Sequence, residues 1–172
     1  MKPAQLLLTL LLALVGVACA ACASGAERGG DEVVTMTTHE TDLTKLRRFI
    51  NLPEAPRQVL WQTMTLGTQG GSAIGPSDWV LLAAIEYDEA TLAQIEAELQ
   101  AAPVGGELQV APDFIRDWFP EPIKAAFAPT AGSSSLILTA PRYSADRFAR
   151  PPLQAGYVVI RPPWIFIYLQ TT

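Results

Sequence analysis

Few residues in this chain could do chemistry. His39 is the only histidine, and both cysteines, Cys19 and Cys22, fall within the first 24 residues. The rest of the chain therefore offers neither a thiol nucleophile nor a thiolate metal site. A single histidine beside Glu40, with no second ligand to join it, reads as solvated surface rather than half of a metal centre. A serine–histidine triad would need His39 to fold back onto a serine, and no Gly-x-Ser-x-Gly run supplies the nucleophile turn. Ser133, Ser134 and Ser135 read as loop, and zinc-protease and calcium-loop motifs are absent. Carboxylates remain. Asp113 and Asp117 stand one helical turn apart, a spacing that usually solvates a helix face. Asp78 and Glu86 lie eight residues apart on one predicted strand, too far to share a proton. These residues point to a non-catalytic binding or scaffolding module without a cofactor. The alternative is a carboxylate-dependent hydrolase acting on cell-wall or polysaccharide material. Acidic side chains converging in a deep cleft would mark the hydrolase, and a closed core with only a surface groove would mark the binder.

Charge narrows the partners. The net charge of −5 argues against nucleic acid, whose phosphates call for a basic face. The average hides an asymmetry. Between Thr68 and Glu121 ten acids face Arg116 alone, whereas from Pro122 onward Lys124, Arg142, Arg147, Arg150 and Arg161 face Asp146 alone. Either the two halves pair with each other or solvate separate surfaces, or Arg142, Arg147 and Arg150 present a face to anionic head groups or an acidic ligand. A second contact surface is the glycine-rich run from Gly67 to Asp78, which carries Gln69, Ser72 and Asp78. It lacks a Gly-Lys-Ser/Thr ending and opens no helix, so it is not a phosphate loop. Its length marks either disorder or function.

The element that must position these residues runs from Gly75 to Gln100. Trp79 to Tyr87 is almost continuously apolar, as expected of a strand covered on both faces and set near the middle of a sheet. Asp88 follows as a helix N-cap, and Leu92, Ile95 and Leu99 then fall on one helical stripe. Pro103 and Gly105-Gly106 close that helix. Upstream, Leu43, Leu46 and Ile50 share a helical face, capped by Thr41 or Asp42 and stopped by Pro53; this short helix covers one edge of the domain. Strands are expected at Val59–Leu66, Ser135–Ala140, Tyr157–Arg161 and Trp164–Gln170, with a short edge strand at Glu107–Val110. Short helical pieces follow Pro112 and span Ile123–Phe127, and Arg142–Pro152 reads as mixed, with one helical turn. Phe114, Ile115 and Trp118 form one apolar face, and Trp118-Phe119 is expected in the core. Pro162-Pro163 cannot donate ladder bonds, so a kink or loop is expected there. In the last strand Trp164, Phe166 and Tyr168 share one face and Ile165, Ile167 and Leu169 the other, both covered.

The N-terminus sets the destination. Met1-Lys2 is followed by an almost wholly aliphatic run from Leu6 to Val17 and a small-residue exit, Gly16-Val17-Ala18-Cys19-Ala20-Ala21-Cys22-Ala23-Ser24, which is the layout of a secretory signal. The exit resembles the lipobox of bacterial lipoproteins. That resemblance covers about the first 24 residues and implies lipidation at Cys19 or Cys22. Both positions depart from the family's usual Leu three residues earlier, with Gly16 before Cys19 and Cys19 before Cys22. An alanine after either cysteine implies the outer membrane in a diderm cell, and several acyl chains would anchor it firmly. Ordinary signal cleavage and a retained membrane helix are the other readings of the same residues. All three place the body outside the cytoplasm.

The organisation expected is therefore a leader over 1–23, a flexible tether over 24–40, and one domain over 41–172. A domain of that size buries somewhat under ~70% of its unfolded surface, which supports a core without disulfides. Strands outnumber helices, and 14 prolines with 12 glycines call for many turns. The fold class expected is two-layer α+β, with a mixed, mainly antiparallel sheet of about five strands and helices on one face.

Overall fold

The computed structural model describes residues 39–66, 78–100 and 103–171. Cys19, Cys22, Gln69 and Ser72 lie outside them. In chain order the elements are α1 (Leu43–Leu46), β1 (Gln58–Leu66), β2 (Asp78–Glu86), α2 (Glu89–Leu99), β3 (Pro103–Val104) and β4 (Gln109–Val110). A 3-10 turn at Pro112–Phe114 and α3 (Glu121–Lys124) come next. The chain then runs through β5 (Phe127–Pro129), β6 (Leu136–Leu138), β7 (Arg142–Ser144), β8 (Leu153–Arg161) and β9 (Trp164–Thr171).

The strands form two sheets. Six of them lie in the order β1-β2-β9-β8-β7-β3, and three in the order β4-β6-β5. Every pairing is antiparallel. The sheet is thus larger than the five strands expected, contains no parallel pair, and is joined by a second sheet. The molecule is more β-rich than the α+β expectation. The discrepancy arises in 103–144, where prolines and glycines cut the chain into strands of two or three residues. Such pieces are too short for period-2 alternation to show. Glu107–Val110 holds a strand only over β4, at the edge of the small sheet. Arg142–Pro152 is mixed as expected, opening as β7 and then making one helical turn in which the Ala149 amide donates to the Ala145 carbonyl at 3.0 Å; α3 stops at Lys124 so that Phe127 opens β5.

The long elements follow their sequence signals. β2 is flanked by β1 and β9, and Val80 to Ile85 are all essentially inaccessible to solvent. Asp88 caps α2 by accepting from the Thr91 amide at 2.9 Å, and Leu92, Ile95 and Leu99 are the buried residues of that helix. Asp42 caps α1 in the same way, accepting from Thr44 and Lys45. Arg161 pairs with Trp164 across a two-residue turn made of Pro162 and Pro163, which join through a cis peptide. Where β8 resumes after a register shift between Leu153 and Ala155, Gly156 lies against β9. A Cβ there would stand 1.9 Å from the Tyr168 carbonyl oxygen, so only glycine fits.

Alternation along β1, β2, β8 and β9 builds a core on each face of the large sheet. One face joins Val59, Trp61, Leu81, Ala83, Ile85, Val158, Ile165, Ile167 and Leu169 to Leu46 and Ile50 of the α1 region and to the apolar stripe of α2. The short helix expected at a domain edge therefore packs on the sheet itself. The opposite face joins Val80, Leu82, Ala84, Val159 and Phe166 to Trp118, Phe119, Ile123, Phe127 and Leu138. Helical pieces thus lie on both faces, and the body has three layers instead of two. Among the described residues no helix is long and apolar enough to cross a membrane.

Candidate ligand-binding cleft

The second face is not fully closed. Between it and β4 lies a cleft of about 340 Å³ lined by Met64, Val80, Leu108, Gln109, Val110, Phe114, Tyr157 and Tyr168. The large sheet supplies Met64 from β1, Val80 from β2, Tyr157 from β8 and Tyr168 from β9. The opposite wall comes from β4 with the residue before it, and from Phe114 in the 3-10 turn. Phe114 forms the hinge of the aromatic packing, with ring centroids 5.8 Å from Phe127, 6.1 Å from Phe166 and 6.3 Å from Tyr168. A more open hollow of about 510 Å³ shares Met64 and adds Thr63, Thr65 and Trp79, whose side chain is exposed.

The register of β8 against β9 sets Tyr157 opposite Tyr168, and their rings stack at 5.0 Å with planes 10° apart. The Tyr168 hydroxyl donates to Gln170 Oε1 at 2.8 Å. Burial pushes both phenols above their ordinary pKa. For Tyr157 the neighbouring Tyr168 adds to the rise, and the Arg142 guanidinium, 5.6 Å from the Tyr157 ring centre, opposes it. Both phenols are therefore neutral near pH 7 and able to donate. Among the described residues no acidic or basic side chain lines the cleft. Arg116 stands just behind it, with Nη2 2.9 Å from Met64 Sδ.

The residues singled out in the sequence are distributed otherwise. Asp78 is the first residue of β2 and pairs with Leu66. Arg142 opens β7 and donates through Nη2 to the carbonyls of Gly105 and Gly106, both at 2.8 Å. Arg147 forms ion pairs with Glu54 and Glu98 and is largely buried. Arg150 donates to the Arg47 carbonyl at 2.8 Å. Each of the three arginines is thus engaged by the protein. The Arg147 pair with Glu98 joins the acid-rich half of the chain to the arginine-rich half. Glu98, Asp146 and Arg147 also border a smaller hollow of about 170 Å³.

His39 departs from the solvated position expected of it. It is half-buried and stacks on Trp118, with ring centroids 5.7 Å apart and planes 25° apart, and its Nδ1 is buried without a hydrogen-bond partner. A bridge between the next residue and β1 brings it there: Glu40 and Trp61 exchange backbone hydrogen bonds of 2.7 and 2.9 Å. Trp118 and Phe119 lie in the core as expected. Among the described residues no group of three or more histidine, cysteine or acidic side chains could hold a metal ion.

Sequence reasoning did not find the cleft. Its one legible trace was a tyrosine in each of the last two long strands, and their apposition depends on a register that follows the bulge. Comparisons of the chain with protein families, with curated proteins and with solved structures find no match.

Proposed function

We propose that this protein is an exported, lipid-anchored binding module of the cell envelope, and that it takes an apolar ligand between its two sheets without catalysing a reaction on it. The observation that carries the binding part is the uncharged cleft, lined by a thioether, aliphatic and aromatic side chains and two neutral phenols. A concave, mostly apolar site with a few polar groups to orient its occupant is the usual form of a small-molecule pocket. No carboxylate lines it, so a hydrolase using paired acids would have to work elsewhere on the molecule. The anchoring part rests on the aliphatic leader and on Cys19 and Cys22. Outer-membrane placement follows from the alanine after either cysteine, if the cell has such a membrane.

Two experiments test the two parts separately. Titration with the neutral fluorescent probe N-phenyl-1-naphthylamine should give saturable enhancement, and Val110→Trp, which fills the cleft, should abolish it. Enhancement that survives this substitution removes the cleft from the proposal. For the anchor, Cys19→Ser and Cys22→Ser are made singly and together. A protein that stays membrane-bound with unchanged mass in the double variant is not held by a lipid at either residue.

A further inference from the structure

We infer that the cleft receives one unbranched acyl chain whose carbonyl oxygen accepts a hydrogen bond from Tyr157; the inference rests on the binding reading above and names the ligand class. The Tyr157 hydroxyl has no hydrogen-bond partner among the described residues, although its side chain is buried and lines the cleft. Its oxygen is not sealed from solvent, and an apolar occupant of the cleft would strip that hydration at a cost unless it brought an acceptor. Tyr168 differs, because its proton is already given to Gln170. The Gln109 amide is drawn to Glu107 and Ser135, so Tyr157 is the one phenol of the lining whose proton is not already given to the protein.

The lining specifies what carries the acceptor. A carboxylate or ammonium held inside would lose its hydration with no opposite charge in the lining itself, the Arg116 and Arg142 guanidiniums standing behind Met64 and over the Tyr157 ring. An ester or similar neutral carbonyl meets the phenol without that penalty. Apart from Gln109 and Tyr168, the wall of Met64, Val80, Leu108, Val110 and Phe114 offers only dispersion contacts, and methionine adapts readily to a flexible chain. A methylene fills about the ~30 Å³ of a liquid water, so the cleft houses on the order of ten of them. Such a chain could come from a membrane lipid or from a free monoacyl compound; the acyl carbonyl is common to both.

The test uses the full chain carrying Cys19→Ser and Cys22→Ser, with N-phenyl-1-naphthylamine as reporter. Signals are read as differences from the same chain with Val110→Trp, so that probe bound elsewhere cancels. Monodecanoylglycerol and decane should both displace the probe, the ester with roughly fivefold higher affinity, equivalent to one net hydrogen bond. Tyr157→Phe keeps the ring and should remove the ester's advantage while leaving decane unchanged. Displacement by phosphatidylcholine vesicles as well would mark membrane lipid as the source, and its absence would mark a free amphiphile. An ester that binds no better than decane, or an advantage that survives Tyr157→Phe, overturns the inference. A bound probe that neither chain displaces also overturns it while leaving the cleft reading intact. A probe signal unchanged by Val110→Trp defeats the cleft reading itself.

Discussion

The two faces of the large sheet are made by the same four strands and differ in what covers them. One face is mostly leucine, isoleucine, valine and alanine, joined by Trp61, Tyr87 and Phe148, beneath α1 and α2, and nearly every contributing side chain is buried. The other carries Phe166, Tyr157, Tyr168 and Trp164 beneath short, turn-rich elements, and many of its members are only partly buried. A helix lays a continuous stripe on a sheet and fills it with adaptable aliphatic groups. Short strands and single turns cannot, and large flat rings meeting at steep angles leave space between them. The comparison teaches that packing on the helical face supplies rigidity, and that the opposite face is thereby free to hold a void.

Substitutions can break or sharpen this contrast. The largest loss is expected from Leu81→Ala on the helical face, about 3 kcal/mol in urea unfolding, because its site is closed on all sides. A loss below about 1 kcal/mol would mean that this face is loosely packed after all. Arg147→Ala should cost roughly 2–3 kcal/mol. Arg147 ties Glu54 and Glu98 to the turn that carries Phe148 into the helical core, and removing it leaves the mostly buried Glu54 carboxylate without its charge partner. The double change Glu54→Gln with Arg147→Met should cost less than Arg147→Ala alone; a larger cost would show that Arg147 acts through more than its charge.

Tyr87 sets a smaller effect. It lies in the helical core, and its hydroxyl is buried without a partner, so Tyr87→Phe should stabilise the fold by about 1 kcal/mol. Burial pushes its phenol up to about 12, against a weaker pull from Arg47. The folded chain therefore holds this proton after the unfolded chain has released its own. The folding stability of the unsubstituted chain is unaffected by this group below about pH 10 and falls as pH rises from there towards 12. Tyr87→Phe should flatten the alkaline fall in melting temperature, and an unchanged slope would assign that fall to Tyr157 and Tyr168. The smallest change in stability is expected from Val110→Ala on the cleft face, under about 1 kcal/mol because the residue is already half-exposed. Its visible effect should be a change in probe affinity. A cost equal to that of Leu81→Ala would erase the distinction between the faces.

What the sequence made legible follows the same division. The helical face depends on long periodic elements: the unbroken apolar run of β2, the Asp88 cap, the stripe of Leu92, Ile95 and Leu99, and the alternation of β9. Each signal lies within one segment, where spacing alone decides the outcome. The cleft face depends on β4, β5 and β7, whose two or three residues carry no period, and on the Tyr157–Tyr168 register fixed by a bulge and by Gly156. The position of His39 against Trp118 likewise needs a contact between residues 79 apart, which no local pattern encodes. The arginine face expected from charge counting fared differently, because a count ignores partners. Arg142 and Arg150 take backbone carbonyls, and Arg147 takes two carboxylates.

The placement of β9 bears on the timetable of folding. This strand follows all the others in chain order yet lies between β2 and β8. During synthesis the β1–β2 hairpin and the β8 region emerge without a ladder between them, and neither core can close until β9 arrives. Such a chain stays open along this seam until β9 is there to bridge its two halves, so the latest of the long strands is also the one that locks the sheet.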